Sequence, residues 1–201
     1  MYNFITKKDY KKYSKDLNNL IIELHQNLKN KYNIKFDHYL IGSAKSKLVM
    51  RNGKEPFDFD YCLEIKKYDN DDEKIRKIFF ETIQEISKKY KFDSFGQGER
   101  SIKIKKHSNE IKNHIDFYAE FAILKKINGK INILKWKDHN YYIWNNEVDL
   151  NDLWKRFNII RKKSWNEFKE RYKDKKNKYL NDKTKKSIYI FSETINEFEE
   201  R

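Results

Sequence analysis

The segment Phe57-Asp58-Phe59-Asp60-Tyr61 limits what this chain can fold into more than any other part of the sequence. Side chains alternate between the two faces of a strand, so Asp58 and Asp60 point one way, roughly 6–7 Å apart along the backbone. The three aromatic rings point the other way, which predicts a buried face. Two carboxylates about 4–5 Å apart repel by on the order of 3–4 kcal/mol at an effective dielectric of about 20, so such a pair usually holds a cation. Oxygen ligands of this kind suit Mg²⁺ or Mn²⁺.

A strand and a Gly-Ser pair precede these acids. Polar residues alternate with Ile34, Phe36, His38 and Leu40, and this alternation predicts a strand that leads to Gly42. Gly42 lets a phosphate approach backbone N–H groups with no Cβ in the way, and Ser43 can donate its hydroxyl and its N–H to a β- or γ-phosphate. Candidate clamps for a triphosphate follow at Lys45, Lys47 and Arg51. The alternative is an ordinary turn, and the P-loop pattern Gly-x4-Gly-Lys-Ser/Thr is absent.

A third acid stands between hydrophobic residues at Ile115-Asp116-Phe117. Its strand would carry Asp116 and Glu120 on one face, so either could be the third carboxylate of the site. Asp116 is preferred because it is shorter and is flanked by apolar residues. Glu64 continues the face of the acid pair and is expected beside the site or in solvent.

The order of these parts, which is hydrophobic-Gly-Ser, Asp-x-Asp and then a lone Asp between hydrophobic residues, resembles the DNA-polymerase-β-type nucleotidyltransferase superfamily. The resemblance covers about residues 39–121. It implies that Asp58 and Asp60 hold two Mg²⁺ or Mn²⁺ ions and that Asp116 completes the metal site. It also implies that Gly42 and Ser43 hold the triphosphate, and that a helical part closes the cleft around base and sugar.

Composition bounds the chain without identifying it. At 201 residues with a formal net charge of +14, it is long enough for one domain with a packed extension, and its partners are expected to be polyanions. A solvated lysine surface is the alternative explanation of that charge. Cys62 is the one cysteine, which excludes a disulfide framework and a zinc ribbon. There is no apolar run of membrane-spanning length and no visible signal peptide, so we expect a cytoplasmic protein with no membrane partner.

Periodicity predicts an α+β fold with a mixed sheet, flanking helices and a C-terminal helical part. An amphipathic helix is expected after a Thr6–Asp9 cap and should end near Tyr32, and a second should run from Ile75 to Tyr90. Gly96-Gln97-Gly98 is read as a turn, and Asn128-Gly129 as a hairpin. The expected domains are a catalytic core at 1–148 and a helical extension at 149–201, the latter rich in lysine.

The helical part offers further candidates. Lys162 is expected to bind nucleotide phosphate, together with Lys163 and Lys169 nearby, although a solvated helix face explains these lysines equally well. Tyr141, Tyr142 and Trp144 could stack on a base, although packing is the preferred explanation. The histidines His107, His114 and His139 lack metal-ligand spacing and are read as structural or surface residues, with His114 the one that could border the site.

The resulting hypothesis is a template-independent enzyme that moves a nucleoside monophosphate from an NTP or dNTP to a hydroxyl. The acceptor is expected to be a polyanion, such as a nucleic-acid or oligonucleotide end. The resemblance extends to compact bacterial defence and toxin-type transferases, which implies an oligonucleotide signal in anti-phage defence and a partner protein encoded in the same operon. The alternatives are a toxin-type transferase that modifies a protein, tRNA or small molecule, and a basic nucleic-acid-binding module without catalysis.

Overall fold

The computed structural model of the chain describes residues 1–68, 72–108, 114–138, 141–146, 150–182 and 184–200. The helices are α1 (Lys7–Tyr32), α2 (Gly42–Ser46), α3 (Asp72–Ser87), α4 (Asn151–Lys178) and α5 (Ser187–Glu199). The strands are β1 (Tyr2–Phe4), β2 (Lys35–Ile41), β3 (Met50–Asn52), β4 (Phe57–Lys67), β5 (Phe92–Gln97), β6 (Ile102–His107), β7 (Ile115–Ile127), β8 (Lys130–Asp138) and β9 (Tyr141–Asn146). A 3₁₀ turn, Lys88–Tyr90, follows α3.

The described residues form two compact units. The sheet unit comprises residues 5–49 and 55–147, and the helical unit comprises residues 1–4, 50–54 and 148–201. The expected division into domains at residue 148 stays a prediction. None of the described helices is both long enough and apolar enough to cross a membrane.

The sheet unit is built on a mixed seven-stranded sheet with the order β2-β4-β7-β6-β5, in which β8 pairs with both β7 and β9. The pair β4–β7 is parallel and the other pairs are antiparallel. The long strand β7 pairs with β6 along its first half and with β8 near its end. The expected α+β fold with a mixed sheet is therefore confirmed.

Aromatic residues of β4 and β7 form the centre of the core. Phe57, Phe59 and Phe117 are each at most 3 % exposed, and the Phe59 and Phe117 ring centroids lie 5.4 Å apart. Tyr13 of α1 packs its ring 4.9 Å from Phe117. Burying one such ring stabilises the fold by about 1.5–3 kcal/mol, so this cluster fixes which face of β4 points inward. Its acidic face consequently points away from α1.

The predicted start of α1 is confirmed. The Thr6 side chain accepts a hydrogen bond from the Asp9 N–H at 3.1 Å, and its hydroxyl donates to the Asp9 carboxylate at 2.8 Å. Helical spacing places six side chains in the core: Tyr13, Leu17, Leu20, Ile21, Leu24 and Leu28. Asn33 closes the helix in the left-handed conformation, close to the predicted end.

The prediction of a turn at Gly96-Gln97-Gly98 was wrong for its first two residues. Gly96 and Gln97 belong to β5, where they pair with Lys103 and Ile102 of β6. A register shift between Ser94 and Gly96 interrupts the alternation. Glycine in a strand commonly marks such a bulge. The predicted hairpin at Asn128-Gly129 is confirmed, because both residues have positive φ between β7 and β8.

The helical unit has its own core, formed by α4 and α5. Phe157 and Phe191 pack with ring centroids 5.0 Å apart, and Phe168 is fully buried beside them. Lys175 is 8 % exposed, and its ammonium lies 2.6 Å from carboxylate oxygens of both Glu193 and Glu197. These carboxylates compensate a charge that would otherwise be costly to bury.

Candidate functional site

The acid pair lies on the face of β4 that points away from the aromatic core, as the alternation predicted. Asp58 is exposed and Asp60 is half-buried, whereas Phe57 and Phe59 are buried on the opposite face. Farther along β4 the same face becomes apolar, because Cys62 is buried against Leu124 and Ile133. The acids therefore occupy only the first part of this face.

Strand pairing brings the Gly-Ser segment to the acids. Ile41, the last residue of β2, pairs with Asp60, and the chain then turns into α2 at Gly42 with φ of +58°. A Cβ added at Gly42 would lie 2.8 Å from Asp60 Oδ2, closer than side chains tolerate. Glycine is required here for two reasons, a left-handed backbone and the close approach of a carboxylate.

The backbone after Gly42 is held by a residue that the sequence analysis did not single out. Ser46 is 2 % exposed, and its hydroxyl lies 3.1 Å from the carbonyl oxygens of both Gly42 and Ser43. The Leu48 N–H also donates to the Ser43 carbonyl at 2.8 Å. These bonds hold the backbone of the loop in one conformation, in which Ser43 is half-buried. The predicted phosphate clamps of this loop, Lys45 and Lys47, are exposed.

The third acid comes from β7, the parallel neighbour of β4. Asp58 pairs with Tyr118 and Asp60 pairs with Glu120, so Asp116, Tyr118 and Glu120 share the face of the acid pair. The Asp116 side chain is 13 % exposed and its Oδ1 lies 3.9 Å from His114 Nε2. His114 therefore borders the acidic face, as the sequence analysis considered.

Glu120, the alternative third acid, already has two partners on β6 or next to it. Its Oε1 accepts a hydrogen bond from Lys103 Nζ at 2.5 Å, and its Oε2 accepts one from the Ser101 hydroxyl at 2.7 Å. Lys103 also pairs with Glu120 in the strand register. Both carboxylate oxygens of Glu120 are therefore engaged by side chains at β6.

The electrostatics of the site concentrate on Asp60. Burial and repulsion from the carboxylates of Asp58 and Glu120 raise the pKa of Asp60 to about 7, and the Lys103 ammonium opposes that rise. The donor set is all oxygen and carries excess negative charge, which fits Mg²⁺ or Mn²⁺. Within the described residues, however, no three His, Cys, Asp or Glu side chains converge closely enough to form a metal-binding group.

A buried arginine holds the turn that positions Ser101, which is a hydrogen-bond partner of Glu120. Arg76 of α3 is fully buried and donates hydrogen bonds to the carbonyl oxygens of Gly98, Ser101 and Leu134 at 2.6, 3.0 and 3.2 Å. These bonds fix the turn between β5 and β6, from which Ser101 reaches Glu120. Arg76 lies on the face of α3 that carries Ile75 and Phe79, both fully buried, so an arginine inside an apolar stripe was the missed signal.

The remaining predicted residues belong to other helices and strands. Arg51 is in β3 and Lys162 is an exposed residue of α4, both in the helical unit, and their roles stay predictions. Tyr142 and Trp144 are partly buried and pack against the main core, which agrees with packing as their preferred role. The Tyr141 side chain and His139 fall outside what the structure describes.

Comparison with known proteins finds similarity of fold without similarity of sequence. No family model matches the chain, and no curated protein matches its sequence. Among solved structures, the STING-associated CdnE c-di-GMP synthase of Capnocytophaga granulosa matches 96% of this chain with a TM-score of 0.64 at 14% identity. CdnC of Escherichia coli MS115-1, solved with ATP, matches 98% with a TM-score of 0.60 at 9% identity. The CdnE cyclic dinucleotide synthase of Elizabethkingia meningoseptica, solved with GTP and Apcpp, matches 89% with a TM-score of 0.54 at 13% identity.

This chain spans about three fifths of the first two of these proteins, 61% and 62% of their lengths, and 68% of the third. At such identities the likeness establishes the arrangement of helices and strands and not the activity. The fold expected from the polymerase-β-type resemblance is nevertheless confirmed: this chain shares the fold of bacterial nucleotidyltransferases of the CD-NTase group.

Proposed function

We propose that this chain is a metal-dependent, template-independent nucleotidyltransferase that transfers a nucleoside monophosphate from an NTP or dNTP to a hydroxyl. One observation carries the proposal. Strand pairing places the turn at Gly42 against Asp60, so this turn and the acid pair lie next to each other on the sheet of a fold shared with nucleotide-using synthases. The transfer forms a bond between the acceptor oxygen and the α-phosphorus, and it breaks the bond from that phosphorus to pyrophosphate.

Each residue of the site has a role in that transfer. Asp58, Asp60 and Asp116 would hold two Mg²⁺ or Mn²⁺ ions, which when bound supply electrophilic activation of the α-phosphate and a more acidic acceptor hydroxyl. Ser43 would donate its hydroxyl to the triphosphate, and Gly42 would leave its backbone open to the same group. Lys45 and Lys47 would offset phosphate charge, and the same role for Arg51 and Lys162 rests on the sequence alone.

We infer that the acceptor is another nucleotide, so that the product is a short or cyclic oligonucleotide that signals in anti-phage defence. The inference rests on fold, since neighbours of this fold are a c-di-GMP synthase and a cyclic dinucleotide synthase. The net charge of +14 also suits a polyanionic product or acceptor. The protein is expected to act in the cytoplasm, with a partner protein from the same operon.

The test is a substrate screen. The chain is incubated with each NTP and dNTP, singly and in pairs, with Mg²⁺ or Mn²⁺, and the products are separated by chromatography and weighed by mass spectrometry. We expect pyrophosphate release and a phosphatase-resistant oligonucleotide from nucleotides alone. Label that appears only on added tRNA or protein would replace this acceptor with the toxin-type one. Binding without any turnover would leave only a nucleic-acid-binding module.

The choice of third carboxylate is tested by Asp116→Asn and Glu120→Gln. We expect Asp116→Asn to lower kcat by on the order of 10²–10³-fold with little change in KM, because it removes charge needed mainly in the transition state. Glu120→Gln should lose less than about tenfold, because its amide oxygen can still accept a hydrogen bond from the Ser101 hydroxyl. Steady-state kinetics on both variants decide the matter, and the opposite ranking would assign the third ligand to Glu120.

A further inference from the structure

Two histidine rings meet where α1 packs against β2. The Nε2 atom of His25 lies 3.1 Å from the Nδ1 atom of His38, and the ring centroids are 5.2 Å apart. The two residues are 13 positions apart in the sequence. His25 is half-buried on the helix, whereas His38 is exposed on the strand, so an ion from solvent can reach the contact between them.

Packing sets the orientation of both rings. The His25 ring stacks on the buried Phe36 ring, with 3.8 Å between the centroids and 7° between the planes. Phe36 and His38 are two residues apart on β2, so both side chains lie on the face of the strand that α1 covers. The stacking therefore fixes the plane of the His25 imidazole, and strand alternation directs His38 toward it.

The separation of the two nitrogens suits one metal ion. An imidazole nitrogen binds Zn²⁺ at about 2.0–2.1 Å, so two such ligands at an angle of about 90–110° lie about 2.8–3.4 Å apart. The distance between His25 Nε2 and His38 Nδ1, 3.1 Å, falls in this range. Both nitrogens would then present a lone pair to the metal ion. The ring that donates its N–H in the present contact would carry that proton on its other nitrogen.

The charge around the two rings also suits a bound cation. Burial lowers the pKa of both histidines, and the charge of His38 lowers the pKa of His25 further, while the Asp37 carboxylate opposes these changes. The neutral imidazole is the form that binds metal ions. Asp37 is exposed next to His38 and lies 3.3 Å from Lys66, and its negative charge would favour a cation nearby.

We propose that His25 and His38 form a binding site for a divalent transition-metal ion such as Zn²⁺, with water completing its coordination. Nitrogen ligands suit Zn²⁺, Cu²⁺ and Ni²⁺, whereas Mg²⁺ prefers oxygen. The site is separate from the acid site, because His38 pairs with Leu63 on the face of the sheet that α1 covers and Asp60 points to the other face. A bound ion would connect α1 to the strand that leads to Gly42.

Isothermal titration calorimetry with ZnCl₂ tests this proposal, in an excess of Mg²⁺ that occupies the carboxylates. Two ligands are half of a four-ligand zinc site, so we expect one Zn²⁺ with a dissociation constant of about 1–200 µM. His25→Gln and His38→Gln should each weaken binding at least about tenfold, because each removes one of the two ligands. His107→Gln is the matched control, since His107 lies instead 2.8 Å from Asp93, and it should stay within about twofold of the wild type.

Unchanged affinity in either His25→Gln or His38→Gln would overturn the proposal. Zinc binding that is lost in Asp60→Asn and kept in both histidine variants would overturn it too, and would assign the ion to the acid site. If a histidine variant unfolds, long-range ¹H–¹⁵N NMR spectra of the histidine rings in the wild type decide the matter. We expect Zn²⁺ to shift His25 Nε2 and His38 Nδ1, and shifts confined to other histidines would contradict the assignment.

Discussion

Asp60→Asn is expected to reduce nucleotidyl transfer by on the order of 10³-fold or more, and Asp58→Asn should do the same. Each substitution removes one charge from the pair that would hold the metal ions, and such ions supply several kcal/mol of transition-state stabilisation. Transfer is measured as pyrophosphate release from the best nucleotide of the screen, with circular dichroism to show that the fold is kept. A double variant that retains wild-type turnover would end the mechanism proposed here.

Asp60→Asn should also make the metal-free protein more stable at alkaline pH. The pKa of Asp60 is raised from 3.8 to about 7 in the folded chain, so the folded state binds more protons than the unfolded state between those values. Stability of the wild type therefore falls as pH rises from about 4 to about 7 and then levels off. The shift corresponds to at most about 4 kcal/mol, and partial exposure of Asp60 reduces it.

Asn carries no charge at any of these pH values. We therefore expect Asp60→Asn to melt several degrees above the wild type at pH 8 in EDTA and at a similar temperature near pH 4. Thermal melts across this range provide the measurement. Added Mg²⁺ should raise the melting temperature of the wild type at pH 8 and leave the variant nearly unchanged. A variant less stable than the wild type at pH 8 would contradict the assigned environment of Asp60.

Gly42→Ala is the second substitution with a large expected effect, a loss of on the order of 10²-fold in transfer. The new Cβ would meet Asp60 Oδ2 at 2.8 Å, and the carboxylate would have to move away from its present position. Displacing a catalytic group by about 1 Å can cost that much in rate. The measurement is kcat for pyrophosphate release, with nucleotide KM determined in parallel.

Gly53→Ala is a matched control for this substitution. Gly53 has φ of +57°, against +58° for Gly42, but an added Cβ on it meets no described atom within 4 Å. Both variants should lose about 1–2 kcal/mol of stability from left-handed backbone strain. Only Gly42→Ala should lose transfer. Equal kinetic losses would attribute the effect to strain and not to the contact with Asp60.

The parts of the fold that sequence predicted are those where one physical signal dominates. Alternation in β4 separated buried Phe59 from Asp58 and Asp60 without reference to any other strand. The Thr6 cap fixed the start of α1. Asn128 and Gly129 both have positive φ, as the predicted hairpin turn requires. Each of these features depends on residues close together in the chain.

The missed features depend on contacts that no periodic pattern in the sequence indicates. Gly96 and Gln97 read as a turn because glycine disrupts the strand pattern, yet β6 supplies their pairing. Ser46 stands between two lysines with no motif around it, and only the structure shows its hydroxyl within reach of the Gly42 and Ser43 carbonyls. Glu120 accepts hydrogen bonds from Ser101 and Lys103, which lie 19 and 17 residues away along the chain. Pattern alone could not distinguish Glu120 from Asp116, because both share one face of β7.

The helical unit is built from three separate segments of the chain. Residues 1–4 and 50–54 belong with the helical unit, although sheet-unit segments separate them from each other and from residue 148. Tyr2 exchanges two backbone hydrogen bonds with the Asn177 side chain, at 2.6 and 3.3 Å. β1 and β3 pair antiparallel as a two-stranded ribbon, and a truncation after residue 147 would remove the Asn177 side chain that binds the backbone of Tyr2. The edge exposed in this way would be prone to self-association. Expression studies should keep both units together and place affinity tags away from the β1 end.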